Sequence, residues 1–296
     1  MRSVLVTGSG GQLGRELVER ARRDGWTVTG LGRHEAEPCD ITDADAVRAL
    51  VRAARPDVVI HAAAWTDVDG CEADPTRALA VNAEGTRHVA DAAAEVGAHL
   101  VYVSTDHVYE GRKLGAYVET DPVGPRSAYG RSKLAGEAAL PPGATIARTS
   151  WLCGRHGRNV ARTVLRLAAG DDPIRFVDDQ VGNPTIAADL APLLLRLGRD
   201  RFAGVVHTSN QGTVSWFEFA REVLAAAGLD PERVEPISTA ELVPARPAPR
   251  PANAALAPRA LLDAGYELLP DHRVSLGLLV AQLQAQAHAE ADLRGA

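Results

Sequence analysis

Tyr129-Gly130-Arg131-Ser132-Lys133 sets a phenol and an ammonium four residues apart. On a helix, positions at that spacing stand on one face, so the two groups can converge. A free phenol, with a pKa near 10, has to fall about three pH units, about 4 kcal/mol, to serve as an acid near neutrality. A cation about 4 Å away at an effective dielectric of about 20 supplies about 4 kcal/mol. A helix N-terminus adds up to about 1 kcal/mol more. The spacing therefore predicts a general acid, Tyr129, tuned by Lys133 with no further group. The competing reading is a solvated helix face. Context weighs against it: the apolar run Leu100 to Ser104 ends at Thr105-Asp106. Thr105 thus falls at the carboxyl edge of a strand, where α/β sheets bind ligands. A hydroxyl there can hydrogen-bond the same carbonyl oxygen that Tyr129 protonates.

A second signal follows the first apolar run, Val4-Leu5-Val6. It reads Thr7-Gly8-Ser9-Gly10-Gly11-Gln12-Leu13-Gly14. Glycines at 8, 11 and 14 suit a tight turn whose backbone approaches a pyrophosphate with no Cβ in the way. The helix beginning at Gln12 then offers free N–H groups and a partial positive charge. Gly8, Gly10, Gly11, Gln12, Leu13 and Gly14 are the candidate cofactor-binding residues, the alternative being a structural turn. At the end of the second strand, NAD sites carry a carboxylate for the ribose 2′-hydroxyl and NADP sites a cation. Leu31-Gly32-Arg33-His34 has no acid before Glu35. Arg33 therefore favours NADPH, with NADH use open and a solvated surface arginine as the alternative.

These residues need a scaffold, and the first half of the chain supplies one by alternation. Strands are expected at Val4–Val6, Trp26–Leu31, Val58–Ile60, Leu100–Ser104 and Thr145–Ala147. Helices are expected at Gln12–Arg23, Asp43–Ala54 with Asp43 as N-cap, Thr76–Val96 and Ser127–Leu140. Strict alternation implies parallel pairing through right-handed crossovers, hence an α/β, doubly wound, Rossmann-type sheet. Its strands are solidly apolar, as when helices cover both faces. Beyond about residue 150 the rhythm weakens. Helices are expected at Asn159–Ala169, Ala187–Leu197, Ser215–Ala227 and Val274–Ala289. The proline-rich run from Pro244 to Pro251 reads as either a flexible linker or a rigid binding loop. The division expected is a cofactor-binding region over 1–150 and a mainly substrate-binding region over 151–296, with some later segments returning to the first half.

Composition bounds the partners. With 296 residues, 46% of them hydrophobic and 24% charged, the chain is an ordinary globular one. Lys and Arg number 32 against 38 Asp and Glu, a net charge of −6. That balance lacks the basic footprint of a nucleic-acid binder. A phosphorylated ligand must be held by a few local donors. Cys39, Cys71 and Cys153 are too scattered for a disulfide framework or a metal site. The N-terminus lacks the apolar core of a signal peptide, and Leu190 to Leu197 falls far short of the about 20 residues of a membrane span. The expectation is a cytoplasmic protein with no membrane contact.

At its motifs the sequence resembles the extended short-chain dehydrogenases and, within them, the dTDP-4-dehydrorhamnose reductases. The resemblance covers nearly the whole chain. Its marks are the glycine loop through Leu17, His61 to Asp69, Val81-Asn82-Ala83, Ser104-Thr105-Asp106 and Tyr129 to Lys133. Arg148-Thr149-Ser150-Trp151, Asp179 to Thr185 and Arg250-Pro251-Ala252-Asn253 complete the set. The resemblance implies NADPH-dependent reduction of the C4 keto group of a dTDP-4-keto-6-deoxyhexose. It implies catalytic Thr105, Tyr129 and Lys133, with Tyr129 and Lys133 also meeting the cofactor. Asp40 and Ile41 would meet its adenine, and Ala62, Ala63 and Ala64 would border it. Asp106, His107 and Trp151 would face the sugar, and Gln180 and Asn253 would line its nucleotide side. His107 stands where the family commonly has an aromatic residue; it contacts the sugar or caps a loop. The absence of Glu after Asp106 disfavours a dehydratase. Glu16 matches a position linked in some relatives to magnesium at a dimer interface, and is otherwise an exposed helix residue. A homodimer is an expectation of analogy alone. Two alternatives remain: a 4-ketoreductase for another nucleotide deoxysugar, and a non-catalytic NADP-binding subunit like that of methionine adenosyltransferase.

Overall fold

The structure, a computed structural model, describes residues 2–32 and 38–295, with side chains described as far as Ala289. Arg33 lies outside the described residues. Six parallel strands form the central sheet: β1 (Ser3–Thr7), β2 (Thr27–Leu31), β3 (Val58–His61), β4 (His99–Thr105), β5 (Thr145–Thr149) and β6 (Gly204–His207). Their order is β6-β5-β4-β3-β1-β2. The helices are α1 (Gln12–Arg23), α2 (Ala44–Ala54), α3 (Val68–Ala73), α4 (Pro75–Leu79), α5 (Gly85–Glu95) and α6 (Ala128–Ala138). They continue with α7 (Val160–Ala168), α8 (Ala187–Arg199), α9 (Trp216–Ala226), α10 (Arg259–Asp263) and α11 (His272–Gly295).

Alternate residues of each strand serve opposite layers, which is why the runs read as solidly apolar. Val4, Val6, Val58 and Ile60 pack with Leu13 and Leu17 of α1 and Leu190, Leu194 and Leu197 of α8. Leu5 and Val59 pack on the other face with Val47 and Val51 of α2 and Val89 and Ala93 of α5. Polar side chains cap several helices, Asp43 as expected. Asp43 accepts from the Ala46 amide at 3.0 Å, and Ser127 from that of Gly130 at 3.1 Å. Each such cap is worth about 1 kcal/mol.

The expected helix over Thr76–Val96 is present as one helical run with a widened turn inside it. It divides into α4, a π-helical turn at Ala80–Glu84, and α5. The widened turn accommodates an extra residue within one helical run. Within it Asn82 is buried. Helix α3, capped by the Asp67 carboxylate on the Gly70 amide at 3.0 Å, was not legible in the apolar pattern.

After residue 150 the chain returns to the sheet through α8 and β6, the latter pairing with β5. A second cluster forms around the parallel pair Ile174–Val177 and Val234–Ile237, covered by α7, α9 and α11. The proline-rich stretch is tied down: Arg246, the Ala248 amide and Arg250 all bond the Asp69 carboxylate. Among the described residues no helix is long and apolar enough to cross a membrane.

Candidate active site

Strand order reverses between β1 and β3, so the carboxyl ends of β1, β3, β4 and β5 open onto the crevice where such sheets bind ligands. The glycine turn fills its start. Gly8 has φ +69°, and a Cβ there would lie 2.8 Å from the backbone N and Cα of Ala63. A Cβ on Gly14 would lie 2.0 Å from the Gly8 carbonyl oxygen. No side chain caps α1, and its first turn carries no acid. Bare amides on an uncapped helix start, reached over a surface without Cβ atoms, fit the pyrophosphate of a dinucleotide. Gly14→Ala is expected to lower stability by about 3 kcal/mol, at the upper end of overpacking effects because backbone, not side chain, must move. Urea unfolding, with NADP titrated by fluorescence, checks both stability and loop geometry.

Other predicted cofactor residues divide by what their side chains do. The Gln12 amide bonds Leu152, Gly154 and Asn159, seaming the turn to the second half. Leu13 is buried beneath the loop. Gly10 accepts from Arg15 through its carbonyl at 3.1 Å. Asp40 bonds the Thr42 amide and hydroxyl, while Ile41 is buried against Gly85. Ala62, Ala63 and Ala64 leave β3 beside the loop, with the Ala62 amide bonding the Thr7 carbonyl.

Parallel register brings Thr105 of β4 level with Thr149 of β5. Ser127 starts α6, so Tyr129 lies in its first turn and Lys133 one turn on. The Thr105 hydroxyl neighbours the Tyr129 phenol and favours its ionised form. The Thr105 hydroxyl also donates to Asp106 Oδ1 at 2.8 Å and accepts from the His107 amide at 3.2 Å. Asp106 is braced from behind by Ser150, whose hydroxyl donates to Oδ2 at 3.1 Å. Lys133 is 2% exposed.

One sequence expectation is corrected here. Burial pushes the Tyr129 phenol up rather than down, with the neighbouring Thr105 hydroxyl opposing and Asp106 and Cys71 adding to the rise. The Lys133 ammonium donates instead to the Val103 carbonyl at 2.8 Å and sits 4.0 Å over the Tyr102 ring. Burial brings it down to about 7, with Glu137 acting against that fall. The pairwise sum of a phenol and a cation left out the cost of drying both groups.

The site also draws on residues beyond those the sequence assigns to chemistry. Asn82 holds Trp65 through both its amide and carbonyl, at 2.8 and 3.0 Å, and donates to Ser132 at 3.0 Å. Ser132 in turn bonds the Tyr129 carbonyl at 2.8 Å. The π-helical turn thereby fastens the chain after β3 to the helix carrying Tyr129. The sequence signals for Asn82 are its place in the Val81-Asn82-Ala83 motif and its polarity within an otherwise apolar helical pattern. His61 bridges Thr7 and Thr86, and burial takes its imidazole down to about 3, leaving it neutral.

Among the predicted sugar-facing residues, His107 sets its ring edge-on to Tyr129 at 5.4 Å. Burial and Arg250 lower its pKa against the pull of Asp106. Trp151 takes a left-handed backbone, φ +44°, and stacks on Trp216 at 3.4 Å between centroids. Left-handed backbone in a bulky residue stores strain that surrounding packing must sustain. Gln180 donates to Thr239 at 2.8 Å. The Asn253 amide clamps the Lys113 and Gly115 carbonyls, both at 2.7 Å. Glu16 is not an exposed helix residue: it is 8% exposed and accepts from Arg155 at 2.8 Å, because the 152–159 segment folds over α1. Among the described residues no group of three or more His, Cys, Asp or Glu side chains could hold a metal.

Comparison with known proteins gives concordant findings. A family model described as the RmlD substrate binding domain matches residues 1–285. A dTDP-4-dehydrorhamnose reductase of Streptomyces griseus is 45% identical over 281 residues, covering 92% of this chain and 91% of the relative. The enzyme of that name from Mycobacterium tuberculosis is 43% identical over 287 residues, covering 94% and 92%. A crystal structure of dTDP-4-dehydrorhamnose reductase from Bacillus anthracis, in complex with NADP, superposes with a TM-score of 0.90 at 36% identity, covering 95% of this chain and all of that one.

Proposed function

The chain belongs to the dTDP-4-dehydrorhamnose reductase family of extended short-chain dehydrogenases, and from that premise we infer that it reduces the C4 keto group of dTDP-4-dehydrorhamnose to give dTDP-rhamnose. It is an oxidoreductase that uses a nicotinamide cofactor. The observation carrying the assignment is the placing of two hydroxyls, Thr105 at the end of β4 and Tyr129 in the first turn of α6, side by side at the sheet edge beside the glycine turn.

Reduced nicotinamide, when bound, supplies the hydride that reaches C4. Thr105 and Tyr129 receive the carbonyl oxygen between their hydroxyls and fix its direction. As negative charge grows on that oxygen, the Tyr129 O–H bond breaks and the sugar O4–H bond forms. The raised pKa of the free site keeps Tyr129 protonated and ready to donate. Lys133, leaving Val103, stabilises the resulting phenolate and holds the nicotinamide ribose. Asp106, held by Ser150, keeps the Thr105 hydroxyl oriented until substrate arrives. His107 and Trp151 face the sugar, and Gln180 and Asn253 shape its nucleotide end. In this division of labour residues 1–150 hold the cofactor and residues 151–296 mainly the substrate.

NADPH is the preferred reductant, supported by Arg33 in the sequence and by the NADP bound to the Bacillus anthracis relative. Incubation of dTDP-4-keto sugars with NADPH or NADH, followed by cofactor absorbance and product NMR, tests the reading. Expected is dTDP-rhamnose formation with kcat/KM for NADPH at least about tenfold above NADH, a difference of about 1.4 kcal/mol. No turnover of any keto sugar while NADP binds stoichiometrically would favour a binding subunit instead.

A further inference from the structure

Glu137 stands one helical turn beyond Lys133 on α6, and the reaction described above gives it no part. Its side chain and that of Arg148 on β5 are each 6% exposed. The two form a bidentate pair, with Nε to Oε1 at 2.9 Å and Nη2 to Oε2 at 2.6 Å. Ser104, next to Thr105, donates to Glu137 Oε1 at 2.5 Å. On the far side Arg148 donates to the Tyr109 hydroxyl at 2.7 Å, which meets His207 Nε2 at 2.7 Å. His207 Nδ1 faces the Ala257 carbonyl at 2.9 Å, and its amide donates to Glu119 at 3.0 Å. A continuous polar chain therefore links α6, β4, β5 and β6 inside the core. An apolar pair of equal volume would often hold a fold as well as a buried ion pair, so stability alone does not account for this one.

We propose that Glu137 is a positioning residue of the reduction: anchored by Arg148 and Ser104, it locks α6 against the edge of β4 that carries Thr105, and it supplies the negative partner of the buried Lys133 ammonium. The proposal rests on the roles inferred above for Tyr129 and Lys133. Every charged or titratable neighbour agrees with that assignment. From α6, Lys133 feels the charge of Glu137; from β4, it meets the Tyr102 ring and the Val103 carbonyl. From β3 comes His61, neutral and stacked on Tyr102, and from β5 comes Arg148, whose charge is committed to Glu137. Glu137 is the group whose charge opposes the fall imposed on Lys133 by burial.

Composition offers a direct test, because Lys113 and Lys133 are the chain's two lysines. In full-length protein labelled with 13C-lysine, two side-chain signals are followed through pH, with Lys113→Arg assigning them. Lys133 is expected to titrate near 7 in the wild type. Glu137→Gln should move that midpoint down by about one pH unit, since an opposite charge nearby favours the charged lysine. A lysine that acts while protonated loses its effect as pH rises, so the alkaline limb of kcat/KM should move down by the same amount. The double variant Glu137→Gln/Arg148→Gln carries no lone buried charge and should shift the midpoint in the same direction but by less, because the Arg148 cation leaves with the carboxylate. Glu137→Asp, retreating by one methylene, should also show a smaller shift than Glu137→Gln. An unchanged Lys133 midpoint in any of the three that folds overturns the proposal. Failure of the wild type to reduce a keto sugar would instead sink the assigned reaction and leave the titration result standing.

Discussion

Tyr129→Phe is expected to lower kcat/KM for NADPH-dependent reduction about 1000-fold, in the middle of the range for removal of a general acid. The substitution deletes one oxygen and keeps the ring that packs with Cys71, Ala78 and Ala128, so the fold and the glycine turn should persist. NADP affinity should therefore change little. The loss should lie in kcat, because the phenolic proton is needed as charge develops on the carbonyl oxygen and not when the sugar first binds. Steady-state kinetics beside a fluorescence titration of NADP separates these effects. A variant within tenfold of the wild-type rate would remove Tyr129 from the mechanism.

Arg148→Met is expected to destabilise the protein by about 3–5 kcal/mol, because it strands the Glu137 carboxylate in the core. Ser104 alone would remain to bond it. Adding Glu137→Leu should return much of the loss, since the pair then vanishes together with its desolvation cost. The exposed pair Arg175–Glu235, at 3.0 Å, is the control, and its disruption should cost no more than about 1 kcal/mol. Urea unfolding with near-constant m-values distinguishes these outcomes. A loss below about 1 kcal/mol for Arg148→Met would mean that water reaches the carboxylate and the core there is not dry.

Legibility from sequence followed the reach of each interaction. The glycine turn, α1, β4 and the first turn of α6 are local events: φ, capping and hydrophobic period decide them within a dozen residues, and all lie where the pattern put them. Tyr129 and Thr105, 24 residues apart in sequence, could be matched because both sit at ends of readable elements. The part Asn82 plays is not legible in its motif, since its three bonds reach Trp65 and Ser132 through a π-helical turn that a period of 3.6 cannot anticipate. The proline-rich stretch was ambiguous for a similar reason. Its order comes from Asp69, about 180 residues earlier in the chain.

The chain's own pattern thus determined the strand–helix alternation, the bare-backbone turn for a pyrophosphate, and a phenol and an ammonium on one helical face, all set by short-range sterics and periodicity. Tertiary structure alone decided how dry those two groups are, which carbonyl the ammonium meets before ligand binds, and that Glu137 finds Arg148. Solvation energy depends on everything packed around a charge, and no spacing within one helix carries that information.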